Sequence, residues 1–152
     1  MKKLALGIVL TLACSIPALG EECTSKLQGF VNQTGYKLIV AKPCAVWIAS
    51  DALTIPHGEG LTGLLLIAQQ GDMGVVGAVV QPKAKLKLSA DLLLKLMQLN
   101  NELEYTKVGI DSDGDLFVRA ELHMTSITAE EFSAVVKTIV EGSNKVYDAL
   151  KK

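Results

Sequence analysis

The chain has 152 residues, 49% hydrophobic and 20% charged, a balance that suits one domain able to bury its own core. Aromatic residues are only 5% of the total, so the core must be aliphatic and few stacking platforms remain for bases or sugars. Loss of residues 1–20 would remove two lysines, taking Lys+Arg from 15 to 13 against 16 Asp+Glu and the net charge from -1 to -3. That mild acidity argues against a nucleic-acid partner.

At the N-terminus, Lys2 and Lys3 precede an apolar run over residues 4–13, then Pro17 and the small-x-small ending Ala18-Leu19-Gly20. These are the features of a bacterial secretory signal, with cleavage expected after Gly20, and the run is short for a membrane span. Cys14 offers a second route, acylation of its thiol, but Thr11 stands where a lipoprotein signal usually has leucine. Residues 21–152 are therefore expected as a single periplasmic or secreted domain without stable membrane insertion. Two cysteines remain in it, Cys23 and Cys44, and in an oxidising compartment such a pair is expected to be bonded. Free thiols or a redox pair are the alternatives, the latter without the close CxxC spacing.

Leu27, Phe30 and Val31 recur at helical spacing behind Thr24 or Ser25 as a cap, predicting a first helix over 24–34 that stops at Gly35. Two β-rich runs, from Tyr36 and from Ala45, flank Lys42-Pro43-Cys44 and read as a hairpin, so the disulfide would tie the first helix to its turn. Residues 51–63 hold Pro56, Gly58, Gly60 and Gly63 and form the longest loop. LLLIAQQ and VVGAVVQ follow, separated by Gly71-Asp72-Met73-Gly74. Their near-continuous apolar character predicts central strands covered on both faces, the second by this chain or by a partner.

Ser89 caps a helix carrying Leu92, Leu93, Leu96, Met97 and Leu99 and ending at Asn100 and Asn101. It reads as a well-buried core helix, the alternative being a helix shared with a second subunit. The closing helix starts at Thr128, with Glu131 completing a capping box and Ile127 and Phe132 placed for a hydrophobic staple. Gly142 weakens its middle and is read as a bend.

Between these helices lies Asp111-Ser112-Asp113-Gly114-Asp115, three alternating carboxylates around a glycine. A calcium loop of that kind needs glycine at position 6 and glutamate at position 12. Counting from Asp111 places Gly114 at position 4 and Leu122 at position 12. Period-2 alternation on both sides instead makes this the corner of an antiparallel hairpin, with residues 112–114 as its loop and Gly114 left-handed. On its second strand Leu116, Val118, Ala120 and Leu122 should face the core, and Phe117, Arg119, Glu121 and His123 the other side, with Tyr105 and Lys107 beside them across the hairpin. Tyr105, Lys107, Phe117 and Arg119 are the candidate partner-binding residues, with Phe117 as anchor. His57 and Glu59 could line a ligand site, but two ligands two residues apart do not make a metal centre. No phosphate loop, nucleophile elbow or paired-carboxylate signature is present, and no catalytic residue, metal or cofactor is expected.

The stretch LLLKLMQLNNELEYTKVGIDSDGDLFVRAEL and the helix TAEEFSAVVKTIVEGSNKVYDAL resemble the YbjN domain family, whose fold is similar to that of type III secretion chaperones. The resemblance covers about residues 24–150 and is carried most strongly after Ser89. The elements read above give five to six strands and three helices in the order α-β-β-β-β-α-β-β-α, and the resemblance implies an α+β domain with the helices packed on an antiparallel sheet, commonly dimeric in the chaperones. It also implies a regulatory or chaperone-like role without catalytic residues. The export signal and the cysteine pair depart from the secretion chaperones and point away from a cytoplasmic role. The expected function is an exported, non-enzymatic protein that engages a polypeptide partner through its sheet or Leu-rich helix, with a homodimer as a further expectation. The alternative is a small-ligand binder or enzyme using the 51–63 loop around His57 and Glu59.

Overall fold

The structure, a computed structural model, describes residues 18–58 and 61–151. The expected order of elements is observed: α1 (Ala18–Thr34), β1 (Lys37–Lys42), β2 (Ala45–Ala49), β3 (Leu65–Gln70), β4 (Met73–Gln81), α2 (Ala90–Glu102), β5 (Lys107–Ile110), β6 (Leu116–His123) and α3 (Ala129–Ala149). The strands form one six-stranded sheet in the order β1-β2-β3-β4-β6-β5, antiparallel at every pairing. This is an α+β fold with its helices in one layer. α1 covers β1 to β3, α3 covers β4 and β6, and α2 packs on α3 and β5.

The core lies between that layer and one face of the sheet. Period-2 alternation brings Val46, Ile48, Leu65, Ile67, Val76, Val80, Leu116 and Val118 inward, where α1 sends Leu27 and Val31 and α3 sends Phe132, Val136, Ile139 and Val146. Burying each such side chain stabilises the fold by about 1.5–3 kcal/mol relative to leaving it in water. Phe30 of α1 stacks on Phe132 of α3 with centroids 5.3 Å apart, joining the helices over the sheet.

α1 begins upstream of the expected cap, so Thr24 and Ser25 lie within the helix. Thr24 serves another purpose: its Oγ1 accepts from the Cys44 amide at 2.9 Å and donates to the Lys42 carbonyl at 3.3 Å. Next to it Cys23 is bonded to Cys44, Cα to Cα 5.1 Å, so the helix is tied to the β1–β2 turn as the sequence implied. Cys44 itself is left-handed, with φ 54°. The expected cleavage point after Gly20 falls in the first turn of α1, and Cys14 lies outside the described residues.

Three other expectations change. The β3–β4 connection is tighter than four residues, since β4 already begins at Met73 and Gly71, with φ 59°, turns the chain. α2 has the Ser89 cap, whose Oγ accepts from Leu92 at 3.1 Å, but it is not a buried core helix. Only Leu96 and Leu99 are buried, while Leu93, Leu94 and Met97 are 44%, 58% and 72% exposed. It also runs past Asn100 and Asn101 to Glu102, and Asn100 Oδ1 accepts from the Val108 amide at 2.7 Å to start β5. α3 has the full capping box of Thr128 and Glu131 and continues through Gly142. That glycine is a close-packing position, since a Cβ there would sit 3.3 Å from both Leu103 and Val118.

The second face of β3 and β4 is not covered: among the described residues no helix crosses it, and Leu66, Ala68, Val75 and Val79 are half-exposed there. No described helix is long and apolar enough to cross a membrane.

Candidate partner-binding surface

Strand alternation on β6 turns Phe117, Arg119 and Glu121 to the outer face of the sheet, opposite the helices. Each is shaped by what stands across from it. Phe117 pairs with Gly109 of β5, and because that position has no side chain the ring lies over its backbone: a Cβ on Gly109 would be 3.0 Å from Phe117 Cζ. Arg119 pairs with Lys107 on one side and with Gly77 on the other. A Cβ on Gly77 would be 2.9 Å from Arg119 Cβ. Glycines on both flanking strands thus leave room for two large side chains to lie along the sheet.

The result is one connected cluster. The Arg119 guanidinium carbon is 4.8 Å from the Phe117 ring centroid, a cation on an aromatic face. Arg119 Nη2 is 3.2 Å from Glu121 Oε1, and Lys107 Nζ is 2.9 Å from Glu121 Oε2. The hydrogen bond and charge of Lys107, aided by Arg119, hold the Glu121 carboxyl below its ordinary range. Arg119 Nε is buried without a partner.

Lys107, Phe117 and Arg119 are therefore brought together as expected, but Tyr105 is not. It precedes β5 in a left-handed conformation, φ 58°, is 90% exposed, and lines a separate cavity between the end of α2 and α3. The ring across from Phe117 is absent because the register places Gly109 there. Glu121, which links both cations, was not among the candidates and is the centre of the cluster.

The larger omission is the rest of the outer face. One row runs across the sheet through paired positions Val40, Trp47, Leu66, Gly77, Arg119 and Lys107. With Val75 and Val79 of β4 it forms a half-exposed apolar centre. At the far side Lys42 Nζ stands 5.4 Å from the Trp47 ring. An aromatic paired with a cation thus closes each side of an apolar strip, an arrangement that can hold a chain with alternating apolar and acidic or polar side chains.

The other candidates are placed differently. Asp111 Oδ1 accepts from the amides of Asp113 at 3.0 Å and Asp115 at 2.9 Å. Asp115 Oδ1 accepts from the Lys83 amide at 2.7 Å, and Gly114 is left-handed at φ 89°. The two carboxylates build the corner. No group of three or more potential metal ligands occurs among the described residues. His57 stands at a hollow of about 260 Å³ with Pro56, Lys85 and Tyr147, while Glu59 lies outside the described residues. The preceding part of that loop is not a free lid. Leu53 and Ile55 are buried, and Asn144 of α3 accepts from the Thr54 amide at 2.8 Å and hydroxyl at 2.9 Å and donates to the Ala52 carbonyl at 2.8 Å.

No curated protein sequence matches the chain. Among solved structures, YbjN from E. coli is similar at 19% identity, covering 84% of this chain and 91% of that one with a TM-score of 0.61. A chain of the heterodimeric ExoU–SpcU complex from the type III secretion system of Pseudomonas aeruginosa matches at 16% identity over 80% of this chain and 94% of that one, TM-score 0.57. The structure of the Yersinia pestis type III secretion chaperone SycH in complex with a stable fragment of YscM2 matches at 13% identity over 82% and 98%, TM-score 0.56. The fold is thus the one shared by YbjN and the secretion chaperones. The model of the YbjN family, described as "Putative bacterial sensory transduction regulator", matches residues 50–152, and the chain belongs to that family.

Proposed function

We propose that the protein is an exported, non-enzymatic, chaperone-like binding protein that holds a polypeptide partner on the outer face of its sheet. The observation that carries this reading is the uncovered apolar strip of Trp47, Leu66, Val75 and Val79, closed at one side by the cluster of Phe117, Arg119, Glu121 and Lys107. Contiguous apolar side chains on an open sheet face, rimmed by charged ones, are the pattern of an interaction surface. Solved structures with this fold include SycH with a fragment of YscM2 and the ExsC–ExsE complex, which supports a polypeptide as occupant. The exposed Leu93, Leu94 and Met97 on α2 support a second copy of the chain as the neighbour of that helix. The signal-like N-terminus and the bond between Cys23 and Cys44 support the periplasm or the exterior as its place. The His57 reading is disfavoured by the pinned loop.

A photoreactive amino acid placed at Leu66, with Leu94 as the second position, tests the assignment in intact cells. Adducts to another polypeptide from position 66 and to a second copy from position 94 are expected. Loss of the first adduct in the Phe117→Ala/Arg119→Ala variant would place that cluster at the contact. A protein that crosslinks only to itself from position 66 would overturn the reading. N-terminal sequencing of the purified protein checks the export step.

A further inference from the structure

β3 and β4, which form the centre of the outer strip, have neighbours on both sides: β3 pairs with β2 and β4, and β4 with β3 and β6. Their backbone amides and carbonyls are used within the sheet, so the face offers an arriving chain side chains only, chiefly Leu66, Val75 and Val79 with the small Ala68 and Gly77 beside them. A polypeptide with apolar and acidic side chains can lie there extended or as a helix, and its own backbone decides between the two. An extended segment turns its amides and carbonyls sideways, toward Trp47 and Phe117, where the sheet has no unpaired backbone group to meet them. Each one that loses water there costs about 1–3 kcal/mol. A helix has paired these groups internally along its length.

Width and charge agree with a helix. Trp47 of β2 pairs with Leu66 of β3, and Arg119 of β6 with Gly77 of β4, so the two margins stand three strand spacings apart, about 14 Å. An α-helix with its side chains is about 10–12 Å across. Both margins are cationic. Lys42 Nζ stands 5.4 Å from the Trp47 ring and makes no ion pair among the described residues. At the other margin Lys107 and Arg119 share a single carboxylate, Glu121, which leaves one positive charge in excess.

We propose that the segment held on the strip is an amphipathic helix aligned with β3 and β4, whose apolar stripe is flanked on both sides by carboxylates. From Val75 to Val79 the strip runs about 14 Å, the length of about two to three helical turns. The stripe covers Leu66, Val75 and Val79. Its flanking carboxylates meet Lys42 on one side and the excess charge of Lys107 and Arg119 on the other, as charge-assisted pairs. The helix α2 of a second copy does not fit this description, because it sets Lys95 among the exposed Leu93, Leu94 and Met97. The inference rests on the sheet-face reading and adds the conformation and charge of the occupant.

Trp47 is the single tryptophan of the chain, so its fluorescence reports binding on the protein purified from cells expressing the full chain. The probe is a synthetic peptide of about three to four helical turns without tryptophan, with leucines at i, i+3, i+4 and i+7 and glutamates on both flanks of that stripe. One companion peptide carries lysine in place of every glutamate, and another carries proline at its centre. A saturable blue shift of Trp47 is expected with the glutamate peptide, with affinity about tenfold lower for the lysine peptide and for the proline peptide. Lys42→Glu with Lys107→Glu, both at exposed positions, should reverse the preference between the glutamate and lysine peptides, which loss of folding would not do. Equal affinity for the glutamate and proline peptides, equal affinity for the glutamate and lysine peptides, or no saturable shift overturns the proposal. So does a shift that depends on protein concentration alone, the mark of a second copy on the strip. The crosslink from Leu66 to another polypeptide separates these failures from failure of the sheet-face reading: where it persists only the helix and its charges are wrong, and where it is lost both readings fall.

Discussion

Replacing Phe117 and Arg119 together by alanine separates an outer-face role from a core role. Phe117 is more buried than exposed, so its loss forfeits most of the 1.5–3 kcal/mol that full burial of such a side chain provides, about 1.5 kcal/mol. The contact of Arg119 with its ring adds about 0.5–1 kcal/mol. The sum is about 2 kcal/mol. Phe132→Ala is the internal control, for that ring is fully buried and stacked on Phe30, and truncating a core aromatic costs about 3–5 kcal/mol. At this chain length each kcal/mol shifts the melting midpoint by about 4 °C. Thermal melts followed by circular dichroism should therefore show the double variant folded and melting some 6–10 °C lower, roughly half the loss in Phe132→Ala. Equal losses in the two would mean that Phe117 belongs to the core, and the assignment of faces on β6 would be wrong.

Opening the bond between Cys23 and Cys44, by reductant or by Cys23→Ser with Cys44→Ser, should cost about 3 kcal/mol by loop entropy, since 21 residues separate the two; urea unfolding with and without reductant measures it. Asn144→Ala removes all three hydrogen bonds to Ala52 and Thr54 and should cost about 1.5–3 kcal/mol, each such bond being worth about 0.5–1. Its signature is faster hydrogen exchange at Leu53 and Thr54, and unchanged exchange would show that the loop is held by Leu53 and Ile55 alone. For Glu121, whose folded pKa is depressed, the stabilisation by Lys107 is present above the ordinary glutamate pKa and is lost as pH falls through the lower folded value. Carboxyl NMR should find its midpoint below that of an ordinary glutamate, and Lys107→Met should raise it.

Helices and strands were legible wherever one face alone had to be buried. The stripe of Phe132, Val136, Ile139 and Val146 and the alternation of Leu116 through Leu122 leave one packing solution each, and the capping box marks the start of α3 to the residue. Register is legible too. A three-residue loop at 112–114 pairs Asp111 with Asp115, which carries Phe117 opposite Gly109 and leaves Tyr105 beyond the strand. What composition could not disclose was the state of the second faces. Leu66, Val75 and Val79 on the sheet, and Leu93, Leu94 and Met97 on α2, are as apolar as any core residue. A run of such residues reads the same whether the chain covers it or another molecule does. Thr24 shows the converse limit, for a residue suited to a cap was used to hold a turn distant in sequence.

The sheet has two edges and one open face, and the edges argue for the face as the place of docking. β1 is the longer edge, yet its register shifts between Leu38 and Val40, and a bulge of this kind twists an edge away from further pairing. Lys37 and Lys42 at its ends add charges that an incoming strand would have to accommodate. β5, the other edge, spans only Lys107–Ile110, too few residues for an extended peptide to gain much from backbone pairing. The open face carries no such protection. Its centre, formed by β3 and β4, carries small residues at Ala68 and Gly77 beside Leu66, Val75 and Val79, and its aromatic side chains stand at the margins in Trp47 and Phe117, each beside a cation. The margin on the β1–β2 side belongs to residues 18–49, outside the family match at 50–152, and it is this segment that the bond between Cys23 and Cys44 holds together. Stapling α1 to the β1–β2 turn keeps Trp47 in register with Leu66 and so keeps the strip continuous across four strands to Arg119.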